Sequence, residues 1–104
     1  MGKSMTSEIK LVQGFKGEFP YTLNFGGVDL DNTTVYFNFT DRRETKRYSI
    51  LCRKGSQPNE VIIPFEDETS TYGDYFGEFV VKSWNATNIY PIEARIPIKI
   101  RKCV

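Results

Sequence analysis

The sequence predicts an all-β protein, an immunoglobulin-like antiparallel β-sandwich of about seven strands. Apolar and polar residues alternate with a period of two along most of the chain, which is the signature of half-buried strands. Turn residues interrupt this alternation about every 8–12 residues, as in a sandwich. At 104 residues the chain fits a single domain. We expect residues 1–8 to form an N-terminal arm and residues 9–102 the sandwich.

Each predicted strand has its own boundary signals. The seven strands cover residues 9–12, 18–25, 34–40, 46–53, 61–65, 73–84 and 90–100. Gly14 ends the first strand, and Gly26 and Gly27 stop the second. A connector at residues 28–32 leads to the third strand. The second strand is predicted to turn one set of side chains inward: Phe19, Tyr21, Leu23 and Phe25.

The third and fourth strands are joined by a polar turn at residues 41–44. Alternation in the third strand assigns Val35, Phe37 and Phe39 to the core. The same alternation turns Tyr36, Asn38 and Thr40 outward. In the fourth strand it places Tyr48, Ile50 and Cys52 on one face.

The second half of the chain ends in two long strands. Residues 54–59 form a loop marked by Gly55 and Pro58, and a short strand follows at residues 61–65. An acidic, Ser/Thr-rich loop at residues 66–73 precedes the long strand 73–84. Residues 85–88 are then a polar loop before the last strand.

No disulfide is expected to hold the sandwich. Leu23 and Phe79 stand in the second and sixth strands, where antibody-type domains carry their paired cysteines. We expect Cys52 and Cys103 to be free thiols, as in a protein made in a cytoplasm. Apolar packing must then stabilise the fold, since each large buried side chain contributes about 1.5–3 kcal/mol.

Sequence signals for catalysis, metal binding and membrane insertion are missing. The chain contains no histidine, which removes the commonest general base and zinc ligand. It has no C-x-x-C pair, phosphate-binding glycine loop or nucleophile elbow. We therefore predict a non-enzymatic protein without a metal or cofactor. No long apolar run or signal sequence is visible, so no membrane partner is expected.

Charge is distributed in blocks along the chain. Residues 42–54 carry six Lys or Arg and one Glu, whereas residues 55–81 carry six Asp or Glu and no Lys or Arg. Such a bipolar surface favours charge-matched contacts between proteins, and it makes Arg42, Arg43 and Arg47 candidate partner-binding residues. The net charge of +1 and the lack of interleaved surface aromatics argue against a nucleic-acid partner.

Alternation turns three apolar side chains away from the core: Tyr36, Phe76 and Val80. In an immunoglobulin-like fold their strands are neighbours, so the three could form one exposed patch that binds a partner. A local bulge that turns Phe76 inward is the alternative.

The last hairpin loop carries a second candidate contact, formed by Trp84, Asn85 and Tyr90. The two rings either close one end of the core or form a loop-tip platform for a surface glycan.

Several segments together resemble the immunoglobulin-like domain of tailed-phage baseplate proteins. They are the Asp29-Leu30 turn with the strand that follows it to Phe39, the Gly73–Phe79 strand, Trp84, Tyr90-Pro91, and the alternating isoleucines of residues 96–100. The resemblance covers most of the chain, from about residue 19 to residue 102.

The resemblance implies a structural role in a virus particle. We expect an accessory or decoration protein of the capsid, or a small tail or baseplate component, made in the host cytoplasm and docked on other virion proteins or on copies of itself. A carbohydrate-binding or adhesion module for host attachment is the alternative.

Overall fold

The computed structural model describes residues 8–23, 32–57, 59–90 and 95–103. Nine strands and no α-helix occur within these residues. The strands are β1 (Ile9–Val12), β2 (Gly17–Thr22), β3 (Thr34–Asp41), β4 (Arg47–Leu51), β5 (Arg53–Lys54), β6 (Glu60–Phe65), β7 (Gly73–Lys82), β8 (Thr87–Tyr90) and β9 (Ile96–Arg101). Several predicted features lie outside the described residues: residues 1–7 of the arm, Phe25, Gly26 and Gly27, most of the connector at 28–32, and residues 91–94 of the predicted last strand.

Two sheets pack face to face. The larger has the order β1-β9-β7-β3-β4, with β8 also paired to β7, and the smaller has the order β2-β6-β5. Among the strands described, β1 and β9 are parallel and every other pair is antiparallel. The central strands β9, β7 and β3 correspond to the G-F-C sheet of an immunoglobulin fold, with β4 as the added C′ strand. The predicted all-β sandwich is confirmed.

The strand predicted at residues 46–53 is two strands in different sheets. β4 pairs with β3 in the larger sheet, whereas β5 pairs with β6 in the smaller one. Cys52 lies at the crossing point, where its N–H donates a 2.9 Å hydrogen bond to the Val35 carbonyl. Because the chain changes sheet here, one predicted strand becomes two, and the count rises from seven to eight.

The region predicted as a loop and a final strand is also divided. β8 pairs with the second half of β7, and β9 pairs with its first half. The turn between β7 and β8 comprises residues 83–86, two residues earlier than the predicted loop at 85–88. It is closed by a 2.9 Å hydrogen bond from the Ser83 N–H to the Ala86 carbonyl. Thr87 and Asn88, predicted in the loop, therefore belong to β8. This additional strand raises the total to nine.

The core lies between the sheets and is rich in aromatic rings. Val35, Phe37 and Phe39 are buried, as the alternation predicted. Ring centroids of Phe37 and Phe79 lie 4.8 Å apart, and that of Tyr21 on the opposite sheet lies 5.1 Å from Phe79. Edge-to-face and tilted ring pairs at such distances stabilise a core beyond their buried area. Aromatic contacts thus join β2 and β7, the two strands that a disulfide links in antibody-type domains.

Both cysteines are free thiols, with Cys52 buried and Cys103 exposed. Leu23 is also buried, just beyond the end of β2, where its N–H donates to the Asn59 carbonyl at 2.8 Å.

Candidate functional site

Outward side chains of the larger sheet form rows across its strands, because directly paired residues share a face. One row is apolar and runs through Leu51, Tyr36, Val80 and Ile89, each paired with the next. Its end members Leu51 and Ile89 are 56% and 47% exposed, and the two central residues are half-buried. We call these four residues the apolar row.

Polar rows border the apolar row on both sides. Toward the β7–β8 turn lie Thr34, Lys82 and Thr87. The Lys82 ammonium lies 5.6 Å from the Tyr36 ring centroid, a cation–π contact. On the other side lie Ser49, Asn38 and Glu78. The apolar row is therefore a bounded stripe.

Phe76 lies outside this stripe. It is paired with Thr40 and Pro97, and the row of Glu78 separates it from Val80. The β7 register is continuous here, so Phe76 points outward and no bulge turns it toward the core. The Arg95 guanidinium covers its ring at 5.8 Å. Tyr36 and Val80 are thus direct neighbours, but the three residues do not form a single patch.

A concavity of about 390 Å³ adjoins the stripe around Phe76. Its polar lining includes Asn38, Ser49 and Glu78. Its charged lining includes Glu44, which forms ion pairs with two arginines, Arg47 at 3.4 Å and Arg95 at 3.7 Å. Because Glu44 already neutralises part of their charge, this concavity offers an anion weaker attraction than two free arginines would.

The candidate arginines cluster at the β3–β4 turn, although their environments differ. Arg42 and Arg43 are exposed in the turn, and Arg47 begins β4. Arg42 lies 3.9 Å from the Asp74 carboxylate. Arg43 makes no ion pair with a residue that the structure describes. The three side chains lie at the end of the sheet remote from Trp84, and of the three only Arg47 lines the concavity.

The turn beneath these arginines is organised by Asp41. Its carboxylate accepts the Thr45 hydroxyl at 2.6 Å and the Thr45 N–H at 2.8 Å. The hydroxyl contact, with backbone N–H groups of Thr45, Lys46 and Glu44, lowers the pKa of Asp41 below its ordinary 3.8 against a smaller opposing effect of desolvation. Glu44 has a positive φ of 59° in this turn. The side-chain cap of Asp41 supports this unfavourable backbone conformation.

The two rings of the predicted loop-tip platform do not share a surface. Trp84 is 91% exposed in the β7–β8 turn. Tyr90 is paired with the buried Phe79 and packs against the core. A residue paired with Phe79 faces the core side of the sheet, which places Tyr90 away from the Trp84 tip. Asn85 is exposed, and the Ser83 hydroxyl contacts its side-chain oxygen at 3.2 Å.

Chemically reactive groups are sparse in the described part of the chain. Burial raises the pKa of the Cys52 thiol to about 12, so it stays protonated at neutral pH. Within residues 8–23, 32–57, 59–90 and 95–103, no group of three or more His, Cys, Asp or Glu side chains is placed to hold a metal ion. No helix there is long and apolar enough to cross a membrane.

Sequence reasoning missed Leu51 and Ile89, the most exposed members of the apolar row. For Leu51 the signal was present, since it lies between the inward Ile50 and Cys52 and therefore points outward. Ile89 carries no such signal, because it falls between the predicted loop at residues 85–88 and the strand predicted from residue 90.

No protein-family model, curated protein or solved structure matches this chain.

Proposed function

We propose that this protein is a non-enzymatic structural component of a tailed-phage particle. It serves as an accessory or decoration protein of the capsid, or as a small tail or baseplate component, and docks through the outer face of its larger sheet. The observation that carries the proposal is the apolar row, a continuous stripe that is exposed at both ends and bordered on both sides by polar rows.

The physical case for docking is the cost of leaving this stripe in water. Leu51 and Ile89 each expose about half of their surface, and full burial of such a side chain contributes about 1.5–3 kcal/mol. Covering the stripe with a protein partner recovers part of this free energy. Tyr36 adds an aromatic ring, a residue type enriched in interface centres.

Charged groups at the remote end of the face supply orientation. Arg42 and Arg43 project from the β3–β4 turn, where an acidic region of another virion protein would attract them. Their contribution is to the rate and direction of docking more than to its strength, since exposed charges are screened by salt.

The virion setting comes from the resemblance of residues 19–102 to the immunoglobulin-like domains of phage baseplate proteins. Free thiols at Cys52 and Cys103 support synthesis in the host cytoplasm, where disulfides rarely persist. The proposed partners are other virion proteins and copies of the chain itself.

Quantitative mass spectrometry of purified particles tests this proposal. We expect the chain in particles at a fixed ratio to the major capsid protein, near one per capsomer for a decoration protein and a few copies for a tail component. Tyr36→Ser combined with Leu51→Ser should lower incorporation about tenfold, as expected for losing roughly 1.4 kcal/mol of contact. Tyr72→Ser, a half-exposed tyrosine outside the row, is the matched control. Absence of the chain from particles would refute the virion role.

A sugar-binding tip is the second candidate, favoured by the single observation that Trp84 is almost fully exposed. One aromatic ring with the neighbouring Asn85 amide can stack on and hydrogen-bond a saccharide, although Tyr90 does not join it. Trp84 is the only tryptophan, so host-surface glycans should change its fluorescence if they bind. Unchanged emission at saturating glycan would exclude this candidate.

A further inference from the structure

We propose that the partner of the apolar row is a second copy of this chain, in a two-fold dimer whose axis runs along the row. This inference rests on the proposed docking function of the outer face and names its partner. It follows from two charges that flank the row.

Glu78 and Lys82 lie on opposite sides of the row, one in each bordering polar row. Both belong to β7 and point outward. Neither makes an ion pair with another residue in the described ranges. They are four residues apart on one strand, which is roughly 13 Å, so they are too far apart to neutralise each other.

A half-turn about an axis along the row brings these charges together between two copies. The row of one copy then faces the row of the other, with Val80 opposite Val80. Lys82 of each copy comes opposite Glu78 of the other, and two-fold symmetry makes this contact twice. The polar row of Thr34 and Thr87 meets the polar row of Asn38 and Ser49.

Only one other two-fold arrangement sets row against row, and its axis runs along the strands. That axis sets Lys82 against Lys82 and Glu78 against Glu78, and like charges in contact weaken an interface. The charge pattern therefore selects a single orientation. A face that presents one stripe with opposite charges on its two sides is complementary to itself, which favours a second copy over an unrelated protein.

The interface expected from this geometry is small. A stable complex usually buries about 800 Å² on each partner, and four row residues with two flanking charges cover less. The dimer should therefore be reversible, and the dimeric fraction should increase as the protein concentration rises from the micromolar to the near-millimolar range.

Sedimentation equilibrium of the full chain and of charge-reversed variants tests the arrangement. Lys82→Glu and Glu78→Lys should each weaken self-association about tenfold, since each places two like-charge contacts in the homodimer. An equimolar mixture of the two variants should regain the wild-type affinity, because their heterodimer restores both attractive contacts. Lys10→Glu, an exposed charge reversal on β1, should leave association unchanged.

If a charge-reversed variant fails to fold, as judged by thermal unfolding, a cysteine variant tests the same arrangement. In a Cys103→Ser background, Val80→Cys should be linked between two copies by a short bis-maleimide reagent, because the axis places the two copies of this residue opposite each other. The spacing of packed sheets, roughly 10 Å, is too wide for a direct disulfide. The buried Cys52 does not compete.

Two results would overturn the dimer. One is a wild-type chain that stays monomeric at every concentration, and the other is a mixture that associates no better than the single variants. Loss of particle incorporation in the row variant, with a monomeric wild type, would refute the dimer and leave the docking function standing. A dimer formed by a chain whose row variant is incorporated normally would support the dimer and refute the docking function.

Discussion

The Tyr75 hydroxyl donates a 2.9 Å hydrogen bond to the Thr71 carbonyl, four residues earlier in the chain. Tyr75 lies near the start of β7, and Thr71 belongs to the connection from β6. The contact resembles the tyrosine corner of immunoglobulin-like sandwiches, in which a tyrosine hydroxyl bonds to backbone a few residues upstream, although Tyr75 precedes Phe79 by four residues and not by two. Burial, with smaller contributions from Tyr48 and Asp41, raises the pKa of the Tyr75 hydroxyl. The group therefore remains a donor at neutral and mildly alkaline pH.

Tyr75→Phe should destabilise the domain by about 1 kcal/mol, the usual net contribution of such a hydrogen bond. The ring stays in the core, so the loss isolates the hydroxyl contact with Thr71. Urea unfolding measures the change, and Tyr72→Phe, in which the altered ring is half-exposed, is the matched control. Equal stabilities of Tyr75→Phe and the wild type would show that this corner contributes nothing.

Gly77 allows the close approach of Phe37 in the core. A Cβ at residue 77 would lie 2.7 Å from Phe37 Cζ and 3.0 Å from Ile98 Cδ1. Gly77→Ala should therefore cost about 1–3 kcal/mol through overpacking. Phe37→Leu removes the ring that the new methyl group would meet.

The double variant Gly77→Ala/Phe37→Leu is the control for that mechanism. Its loss of stability should be smaller than the sum of the two single losses, because the residues are in direct contact. Additive losses in urea unfolding would mean that the glycine is required for another reason.

Sequence alternation predicted the face of each side chain but not its row. Val35, Phe37 and Phe39 are buried because a strand turns every second residue to one side. The separation of Phe76 from Tyr36 depends on register, which is fixed by pairing between β3 and β7 and by turn geometry far along the chain. Alternation along β7 therefore predicts the face on which Phe76 lies, but not which residues of β3 lie beside it.

The change of sheet at Cys52 was beyond sequence reasoning for a similar reason. Tyr48, Ile50 and Cys52 fall on one face and no turn residue interrupts residues 46–53, so the local pattern favours one strand. Whether the chain pairs with β3 or with β6 is decided by which backbone groups it meets after Leu51. That choice belongs to tertiary packing, as does the assignment of Ile89 to an edge strand on β7.

The two thiols should differ strongly in reactivity. Cys103 is exposed, whereas Cys52 is buried and its pKa is raised to about 12. Only the thiolate reacts with a disulfide reagent. At pH 8 we expect one fast reaction from Cys103 and a second only when the protein unfolds. Cys103→Ser should remove the fast reaction, and two fast reactions in the wild type would contradict the buried position of Cys52.

Asp41 should make the stability of the domain sensitive to acid. Its hydrogen bonds in the β3–β4 turn lower its pKa in the folded state below 3.8, the ordinary value expected when unfolded. The unfolded chain then binds the proton more readily, so this contribution is fully present above that value and is lost as pH falls through the folded-state pKa. Chemical unfolding across the acidic range should give a shallower decline for Asp41→Asn than for the wild type, with the exposed Asp67→Asn as control. Parallel declines for Asp41→Asn and the wild type would show that the carboxylate does not stabilise this turn.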